Sequence, residues 1–265
     1  MIVAACLAPA AALFAAFWLL PMVRLVALPA SKGAATYFAV LTEPRYLQSL
    51  VQTTLLAAVV TLVSLLLGAA VGLYLGRRRF AGRRLLLAAL TMPLAFPGVI
   101  VGFFVILIGG RQGAFASLAE SLLGTRITFA YGLFGLFVAY VYFSLPRTIV
   151  AFTAAAEAMG EELEDAARSL GASPRWIVRD VWLPALTPTA LAAGAILFAT
   201  AMGAFGTAFT LSSRYEVLPI TIYNEFTNYA NFALAASLSI ALGVITWLAL
   251  FVARRFGPAQ AGAAA

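Results

Sequence analysis

Residues 165–171 read DAARSLG and, after nine further residues, positions 181–184 read VWLP. Both stretches lie within residues 151–184, a polar connection in a chain that is otherwise almost entirely apolar. A membrane protein that keeps much of its charge in one loop is expected to use that loop to contact something in water. The loop is therefore the first candidate for a functional surface.

The rest of the chain has the composition of a membrane protein. Hydrophobic residues make up 63% of the 265 residues and charged residues only 10%, against about 25% charged residues in soluble domains. A membrane-spanning helix needs about 20 mostly apolar residues, and backbone groups in lipid must be satisfied within the helix. We therefore expect a single all-α integral membrane domain of residues 1–265 with six transmembrane helices. The predicted spans are residues 2–28, 50–76, 85–109, 129–150, 185–211 and 234–253.

The first apolar run resembles a secretory signal peptide in length only. The chain opens with Met1-Ile2-Val3-Ala4, so no basic segment precedes the run. Pro9 and Pro21 interrupt the run, which a lipid-embedded helix tolerates when neighbouring groups satisfy the freed carbonyls. We expect this run to be a genuine span.

The chain contains no histidine and a single cysteine, Cys6. An internal disulfide is therefore impossible, and neither histidine acid–base chemistry nor a histidine metal site is available. We expect no catalytic residues, no metal site and no cofactor bound by this chain. A membrane enzyme or an assembly scaffold is an alternative class, but its chemistry has no obvious residues here.

The arginines predict the orientation of the chain in the membrane. The densest basic cluster is Arg77–Arg84, and further arginines occur within residues 151–184 and at Arg254 and Arg255. Because Lys and Arg accumulate in short cytoplasmic loops, we expect the 151–184 loop and both termini to lie in the cytoplasm. Contact with anionic membrane lipid explains the cluster, so no nucleic-acid partner is expected.

Local signals predict two short helices in the polar loop. The first should run from Glu157 to Leu170, because this segment is rich in alanine and has acidic residues near its start. Gly171 suits a left-handed helix end, and Ser173 with Pro174 suits the start of a second helix that ends at Pro184. Apolar residues at steps of three and four should form one face of the first helix: Ala158, Leu163, Ala166, Ala167 and Leu170. The charged residues should lie largely on the other faces: Glu157, Glu161, Glu162, Glu164, Asp165 and Arg168.

The loop resembles the EAA loop of permease subunits of binding-protein-dependent type I ABC importers. That pattern is Glu-Ala-Ala, three residues, Gly, nine residues, then Ile, any residue and Leu-Pro; here the spacing is kept, with Asp165 for the Glu and Val181 for the Ile. The resemblance implies a type I permease fold whose cytoplasmic coupling helix binds a groove of a separate ATP-binding subunit. The residues that it implies in this contact are Glu164, Asp165, Ala166, Ala167, Arg168, Gly171 and Ser173.

The same resemblance implies the partners and the location of the chain. The expected partners are two ATP-binding subunits that carry ATP and Mg, and a second permease subunit, homologous or identical. A soluble or lipid-anchored substrate-binding protein would deliver the solute, and membrane lipid surrounds the assembly. The location implied is the bacterial inner membrane, with several membrane crossings.

Two further segments carry the resemblance beyond the loop. Residues 93–98, PLAFPG, resemble the proline-broken third helix of these permeases. Residues 218–226, LPITIYNEF, resemble a segment of permeases for polyamines (spermidine and putrescine), aminoethylphosphonate and ferric iron. The second resemblance points to this subgroup of permeases rather than to one particular substrate.

The fifth span is the best candidate for lining a path through the membrane, because its small and weakly polar residues suit a narrow channel or close helix packing. The candidates are Thr200, Met202, Phe205 and Thr207. Charges in the outer connections suit solutes of either sign or are simply solvated: Glu216 and Glu225 would suit a cation or a binding protein, Arg111 and Arg126 an anion.

An ion-coupled secondary transporter is the main alternative function. Such carriers combine broken helices with ion-coupling carboxylates at mid-membrane. The break at residues 93–98 fits this class, but no central carboxylate accompanies it. The sequence therefore favours the permease of an ATP-driven importer.

Overall fold

Helices provide all the regular structure in the computed structural model of the protein, which describes residues 9–212 and 215–256. No β-strand occurs within these two ranges. Six helical segments are long and apolar enough to cross a membrane, which confirms the predicted all-α membrane fold. These segments are Pro9–Lys32, Pro44–Arg77, Gly98–Leu123, Leu133–Ala158, Pro174–Met202 and Phe232–Arg255. Residues 2–8 of the predicted first span, including Cys6, lie outside the described ranges.

The helices follow one another with short connections. In chain order they are α1 Pro9–Lys32, α2 Pro44–Arg77, α3 Arg83–Thr91, α4 Gly98–Gly109, α5 Ala114–Leu123, α6 Leu133–Ala158, α7 Glu162–Ser169, α8 Pro174–Met202, α9 Phe205–Leu211, α10 Leu218–Tyr223 and α11 Phe232–Phe256. A 3-10 turn at Ala34–Phe38 and a helical turn at Ala39–Thr42 join α1 to α2. A π-helical turn, Asn224–Asn228, follows α10.

The chain is broken between α3 and α4, where two prolines occur. Residues Met92–Ala95 form a 3-10 turn, Phe96 is extended with a ψ of 133°, and α4 begins at Gly98 directly after Pro97. A proline donates no helical hydrogen bond and holds the residue before it in an extended conformation. The helix therefore cannot continue from α3 into α4, as the proline pattern predicts.

The helix after the polar loop is longer than predicted. The expectation of a short helix that ends at Pro184 is wrong, because α8 runs from Pro174 to Met202. Val178–Trp182 forms a π-helical turn immediately before the proline. This wider turn changes the hydrogen-bonding register of the helix. The helix can therefore continue past Pro184, which donates no backbone hydrogen bond and would clash in a regular helix.

The predicted fifth span, residues 185–211, is not one uninterrupted helix. Gly203 and Ala204 separate α8 from α9, and Ala204 has a non-helical ψ of 79°. Glycine favours such a break because it is among the weakest helix formers. Two helix ends consequently meet within an apolar segment.

The first loop helix starts later than predicted. The expectation of one helix from Glu157 is wrong, because α6 continues through Ala158 and α7 begins only at Glu162. Met159 breaks the helix with a ψ of 96°, and Gly160, a weak helix former, follows it. The alanine-rich sequence therefore extends α6, and a short turn separates it from α7.

The described chain falls into two compact units. The first combines the described residues up to Thr53 with Glu216–Ile245. The second combines Thr54–Tyr215 with the described residues from Thr246 onward. Helices α2 and α11 contribute residues to both units.

The first unit has a small apolar core beside a set of buried hydroxyl groups. The core consists of Val40, Leu50, Leu218 and Leu238. The hydroxyls of Ser49 and Thr221 lie 2.8 Å apart, and the Oγ1 of Thr53 accepts a hydrogen bond from the N–H of Leu218 at 2.7 Å. Buried polar groups in this unit are thereby satisfied, as a low-dielectric interior requires.

Close helix contact in the second unit depends on glycines in α2. Gly68, Gly72 and Gly76 recur every four residues and face α6. A Cβ atom at Gly72 would lie 2.7 Å from the Cβ of Phe152 and 2.8 Å from the carbonyl oxygen of Ile149. Only glycine fits at this distance, so the two helices pack closely, as small residues allow within membranes.

Candidate functional site

Helix α7 ends at a glycine in the left-handed conformation. Gly171 has a φ of 81°, which confirms the predicted helix end. The N–H of Ala172 donates to the carbonyl of Ala167 at 3.0 Å, and the N–H of Gly171 donates to the carbonyl of Arg168 at 2.9 Å. This Schellman arrangement satisfies carbonyls that the helix leaves free. It fixes the direction in which the chain leaves α7.

Ser173 lies at the N-cap of α8 and Pro174 is its first residue, as predicted. The Ser173 carbonyl accepts hydrogen bonds from the N–H groups of Trp176 at 2.9 Å and Ile177 at 3.1 Å. Its hydroxyl makes no capping hydrogen bond. The backbone of Ser173, with its extended ψ of 158°, therefore starts the helix.

One acidic residue of α7 points inward. Glu164 is only 6% exposed, so its side chain is not available to the partner contact in which the resemblance to the EAA loop places it. The physical reason is ion pairing: the Oε1 of Glu164 lies 2.6 Å from the Nη2 of Arg77 and accepts a hydrogen bond from the Nε1 of Trp182 at 2.6 Å. Arg168 approaches the second oxygen at 3.4 Å. Groups from α2 and α8 thus hold α7 through a single carboxylate.

Arg77 is the cationic side of this contact. Its side chain is 15% exposed, and its Nε and Nη2 atoms have no aligned hydrogen-bond partner among the described residues. The short distance to Glu164 therefore represents charge attraction more than hydrogen bonding. A largely buried guanidinium needs a counter-charge, and Glu164 provides one.

Sequence reasoning missed this role because it assigned the whole Arg77–Arg84 cluster to membrane orientation. Two arginines of the cluster form internal contacts instead. Arg83 pairs with Glu157 and donates to the carbonyl of Leu75 at 2.7 Å. Arg77 directly follows a long apolar run, which is a signal that its side chain can lie against the helix bundle.

The apolar face of α7 points outward. Leu163 is 62% exposed and Leu170 is 88% exposed, Ala166 is exposed, and Ala167 is half-buried. Asp165 is exposed on a neighbouring face, with its Oδ1 3.7 Å from Arg168. A surface helix normally buries its apolar stripe. Outward apolar side chains beside an inward carboxylate indicate a contact surface for another molecule.

A cavity of about 370 Å³ lies where the broken helices meet in the second unit. The wall includes the N-terminal turn of α4, Tyr140 and Ser144 of α6, and Gly203, Ala204, Gly206 and Thr207. The hydroxyl of Tyr140 donates to the carbonyl of Ala204 at 2.7 Å. The cavity therefore has a largely apolar wall with a few fixed polar groups.

The structure brings two of the four predicted path residues to this cavity. Thr200 and Thr207 line it, and the Oγ1 of Thr207 donates to the carbonyl of Gly98 at 3.0 Å. Met202 is fully buried, and Phe205 is 36% exposed; the wall includes neither side chain. Sequence reasoning did not select Tyr140 and Ser144, because they lie in a different helix.

Acidic residues of the outer connections already have partners within the first unit. Glu216 pairs with Arg45 at 3.2 Å. Glu225 is 4% exposed, and it accepts hydrogen bonds from the hydroxyl of Tyr46 at 2.9 Å and from the Nδ2 of Asn231 at 3.4 Å. Glu225 is therefore closed to a cationic solute, whereas Glu216 remains exposed, with 49% of its side chain accessible.

The basic residues of the outer connections differ from each other. In the second unit, Arg126 pairs with Glu120 at 2.8 Å, and both side chains are exposed. Arg111 lies exposed in the turn between α4 and α5. Exposed pairs of this kind contribute about 0–1 kcal/mol to stability, so neither arginine defines a site.

The chain combines six apolar segments, helices that are broken within them, and a loop helix whose apolar face points outward. These features define a permease that crosses the membrane several times. The model of the family described as "Binding-protein-dependent transport system inner membrane component" matches residues 68–261, and the chain belongs to this family. It is the permease subunit of a binding-protein-dependent ABC importer, and the family works in transport rather than catalysis.

Several relatives are named as sulfate or molybdenum permeases. The molybdenum transport system permease protein ModB of Escherichia coli is 31% identical over 231 residues, which cover 82% of this chain and 99% of that protein. The sulfate transport system permease protein CysT of Salmonella typhimurium is 28% identical over 251 residues, 90% of each chain. The chloroplastic sulfate permease 2 of Chlamydomonas reinhardtii is 29% identical over 238 residues, and the match spans 87% of this chain but only 63% of that longer protein.

The fold is that of solved ABC importers. A bacterial alginate ABC transporter in complex with its alginate-bound periplasmic protein has a chain with a TM-score of 0.82 at 16% identity, covering 96% of this chain and 93% of that one. The inward-facing MetNI methionine ABC transporter has a chain with a TM-score of 0.60 at 21% identity, covering 81% and 96%. At these identities the likeness establishes the fold alone.

Proposed function

We propose that this chain is driven by ATP hydrolysis in a separate subunit, and that α7 binds a groove on that subunit. The observation that carries the proposal is the outward apolar face of α7, with Leu163 and Leu170 exposed. Burying apolar surface is favourable by about 25 cal/mol per Å², so a partner that covers this face would gain stability. Asp165 and Arg168 at the edge of the face would add exposed charge contacts of about 0–1 kcal/mol each.

The remaining residues of the loop act by shaping this surface. Ala166 and Ala167 are small enough for a partner to approach closely, while Gly171 and Ser173 set the turn between α7 and α8. Glu164 is buried, so its role is to hold α7 in place. Movement of a docked partner would then displace α7 and α8 as a rigid body.

The assembly that follows from this proposal has several subunits. Two ATP-binding subunits would bind ATP and Mg, and a second permease subunit, homologous or identical, would complete the path. A soluble or lipid-anchored binding protein would deliver the solute from outside. The arginines of the Arg77–Arg84 cluster support an orientation with the loop and both termini in the cytoplasm of a bacterial inner membrane.

We further propose that the substrate is a small inorganic oxyanion of the sulfate or molybdate class. The relatives described above are named for sulfate and molybdenum, and these names give no support to a polyamine, aminoethylphosphonate or ferric iron. The burial of Glu225 removes one of the two carboxylates that favoured a cation. This burial and the names of the relatives favour an anion.

Co-purification tests the docking surface. Leu170→Asp should abolish recovery of the ATP-binding subunit with the tagged permease, because it places a charge in the apolar contact, while membrane insertion is retained. Ser169→Asp is the matched control, since Ser169 is also exposed but lies about 100° around the helix from Leu170. Equal recovery with both variants would refute docking through this face.

Uptake measurements test the energy source and the solute. Cells that express the complete importer should accumulate radiolabelled sulfate or molybdate, with no competition from excess spermidine. Accumulation should persist when the proton gradient is dissipated at constant ATP. Uptake that collapses with the gradient would instead establish an ion-coupled carrier.

A further inference from the structure

The cavity between the broken helices contains hydrogen-bond donors and no carboxylate. Every residue that lines it is uncharged. A cation such as a polyamine would find no counter-charge there, whereas an anion requires only donors in a dry site. The polarity of the cavity wall therefore favours a negatively charged solute over a positively charged one.

The N-terminus of α4 supplies the first donors. Gly98 and Val99 line the cavity, and their N–H groups have no backbone acceptor within the described part of the chain. They form the first turn of a helix of 12 residues, whose dipole places partial positive charge at this end. Free N–H groups at a helix N-terminus commonly bind sulfate and phosphate groups.

Ser144 supplies an independent donor. The residue is 3% exposed and lines the same cavity. Its carbonyl accepts a hydrogen bond from Thr148 at 2.9 Å, but its hydroxyl has no partner among the described residues. Because Ser144 borders the cavity, its hydroxyl is available to a ligand there.

One lining residue, Phe143, contacts the exposed side chain of Arg147. The guanidinium carbon of Arg147 lies 4.9 Å from the ring centroid of Phe143, and Phe143 lines the cavity. Arg147 is exposed and does not line the cavity, so it is not one of the donors.

We propose that this cavity is a transient site for a tetrahedral oxyanion during its passage through the membrane. The donors are the N–H groups of Gly98 and Val99 and the hydroxyl of Ser144. The proposal rests on the proposed function, because it assumes that sulfate or molybdate is transported. Neutral donors bind such an anion firmly enough to replace part of its hydration, and weakly enough to release it.

Uptake by the complete importer in proteoliposomes tests this site, with radiolabelled sulfate and molybdate as probes and ATP hydrolysis measured in parallel. Ser144→Ala should lower uptake per ATP hydrolysed about tenfold, since a hydrogen bond to a charged group changes an equilibrium constant by at least that factor. The half-saturating concentration of the binding protein should stay unchanged.

Two further variants separate a ligand role from a structural one. Ser144→Thr keeps the hydroxyl and should retain most of the uptake. Ser64→Ala is the matched control, because Ser64 is also buried with an unpaired hydroxyl but does not line the cavity. It should leave uptake per ATP hydrolysed unchanged.

The outcomes separate this proposal from the proposed function. If the wild type transports the anion and Ser144→Ala behaves like Ser64→Ala, the cavity site is refuted while the oxyanion importer stands. If the wild type hydrolyses ATP with its partners but transports neither anion, the oxyanion assignment fails and this proposal fails with it.

Discussion

Replacing Glu164 with alanine should release α7 from the helices that hold it. The carboxylate contacts Arg77 of α2 and Trp182 of α8, each at 2.6 Å. Its removal leaves a largely buried guanidinium without a counter-charge and an indole N–H without its acceptor. We expect α7 to unfold locally while the membrane helices keep their structure.

The burial of the Arg77–Glu164 pair determines how much stability α7 should lose. The side chains of Arg77 and Glu164 are 15% and 8% exposed, and removing one partner of a buried pair costs about 3–5 kcal/mol. Because a freed Arg77 at the end of α2 can turn toward water, we expect a net loss of about 3 kcal/mol, at the lower end of that range. Since 1.4 kcal/mol corresponds to a factor of ten, the unfolded population of α7 should rise about a hundredfold.

Trypsin cleavage after Arg168 measures this population. Arg168 is 61% exposed but helical, so cleavage requires local unfolding, and its rate follows the open population when opening is fast. Asp165→Ala is the matched control, because Asp165 is 69% exposed and lies 3.7 Å from the same arginine. An exposed pair contributes about 0–1 kcal/mol, so this variant should accelerate cleavage less than about fivefold. Equal acceleration by both variants would refute the anchoring role of Glu164.

The remaining predictions concern glycines and orientation. Gly72→Leu should prevent folding, detected as loss of monodisperse protein in detergent, whereas Gly243→Leu should not, because a Cβ at Gly243 meets nothing within 4 Å. Gly171→Ala should destabilise the end of α7 by about 1 kcal/mol and weaken recovery of the ATP-binding subunit; unchanged recovery would contradict it. In a cysteine-free background, a cysteine at Gly82 should resist impermeant thiol reagents in intact cells and one at Gln112 should react, while the reverse labelling would overturn the orientation.

Features that depend on local backbone chemistry could be predicted from the sequence. Pro93 and Pro97 break the helix because proline restricts the chain wherever it occurs, and Gly171 ends α7 because few other residues adopt its φ of 81°. The six apolar segments follow from lipid thickness and hydropathy. These signals act over a few residues, so no tertiary information is needed.

Features that depend on a second helix could not be predicted in this way. Helical periodicity placed Glu164 away from the apolar face of the helix, but it could not predict that Arg77 and Trp182 bury the carboxylate. The passage of α8 through Pro184 required a π-helical turn, which has no clear sequence signature. The donors Ser144 and Gly98 share a cavity only because α4 and α6 pack together.

The continuity of α8 has a mechanical consequence. At about 1.5 Å per residue, its 29 residues form a rod roughly 43 Å long. One end is Pro174, beside the loop, and Thr200 and Ala201 near the other end line the cavity. Tilting this rod by about 5° around one end would displace the other by roughly 4 Å, given its length. A displacement of α8 at the loop would therefore also move the cavity wall, and the points at which the helix could bend in between are the π-helical turn, Pro184 and Pro188.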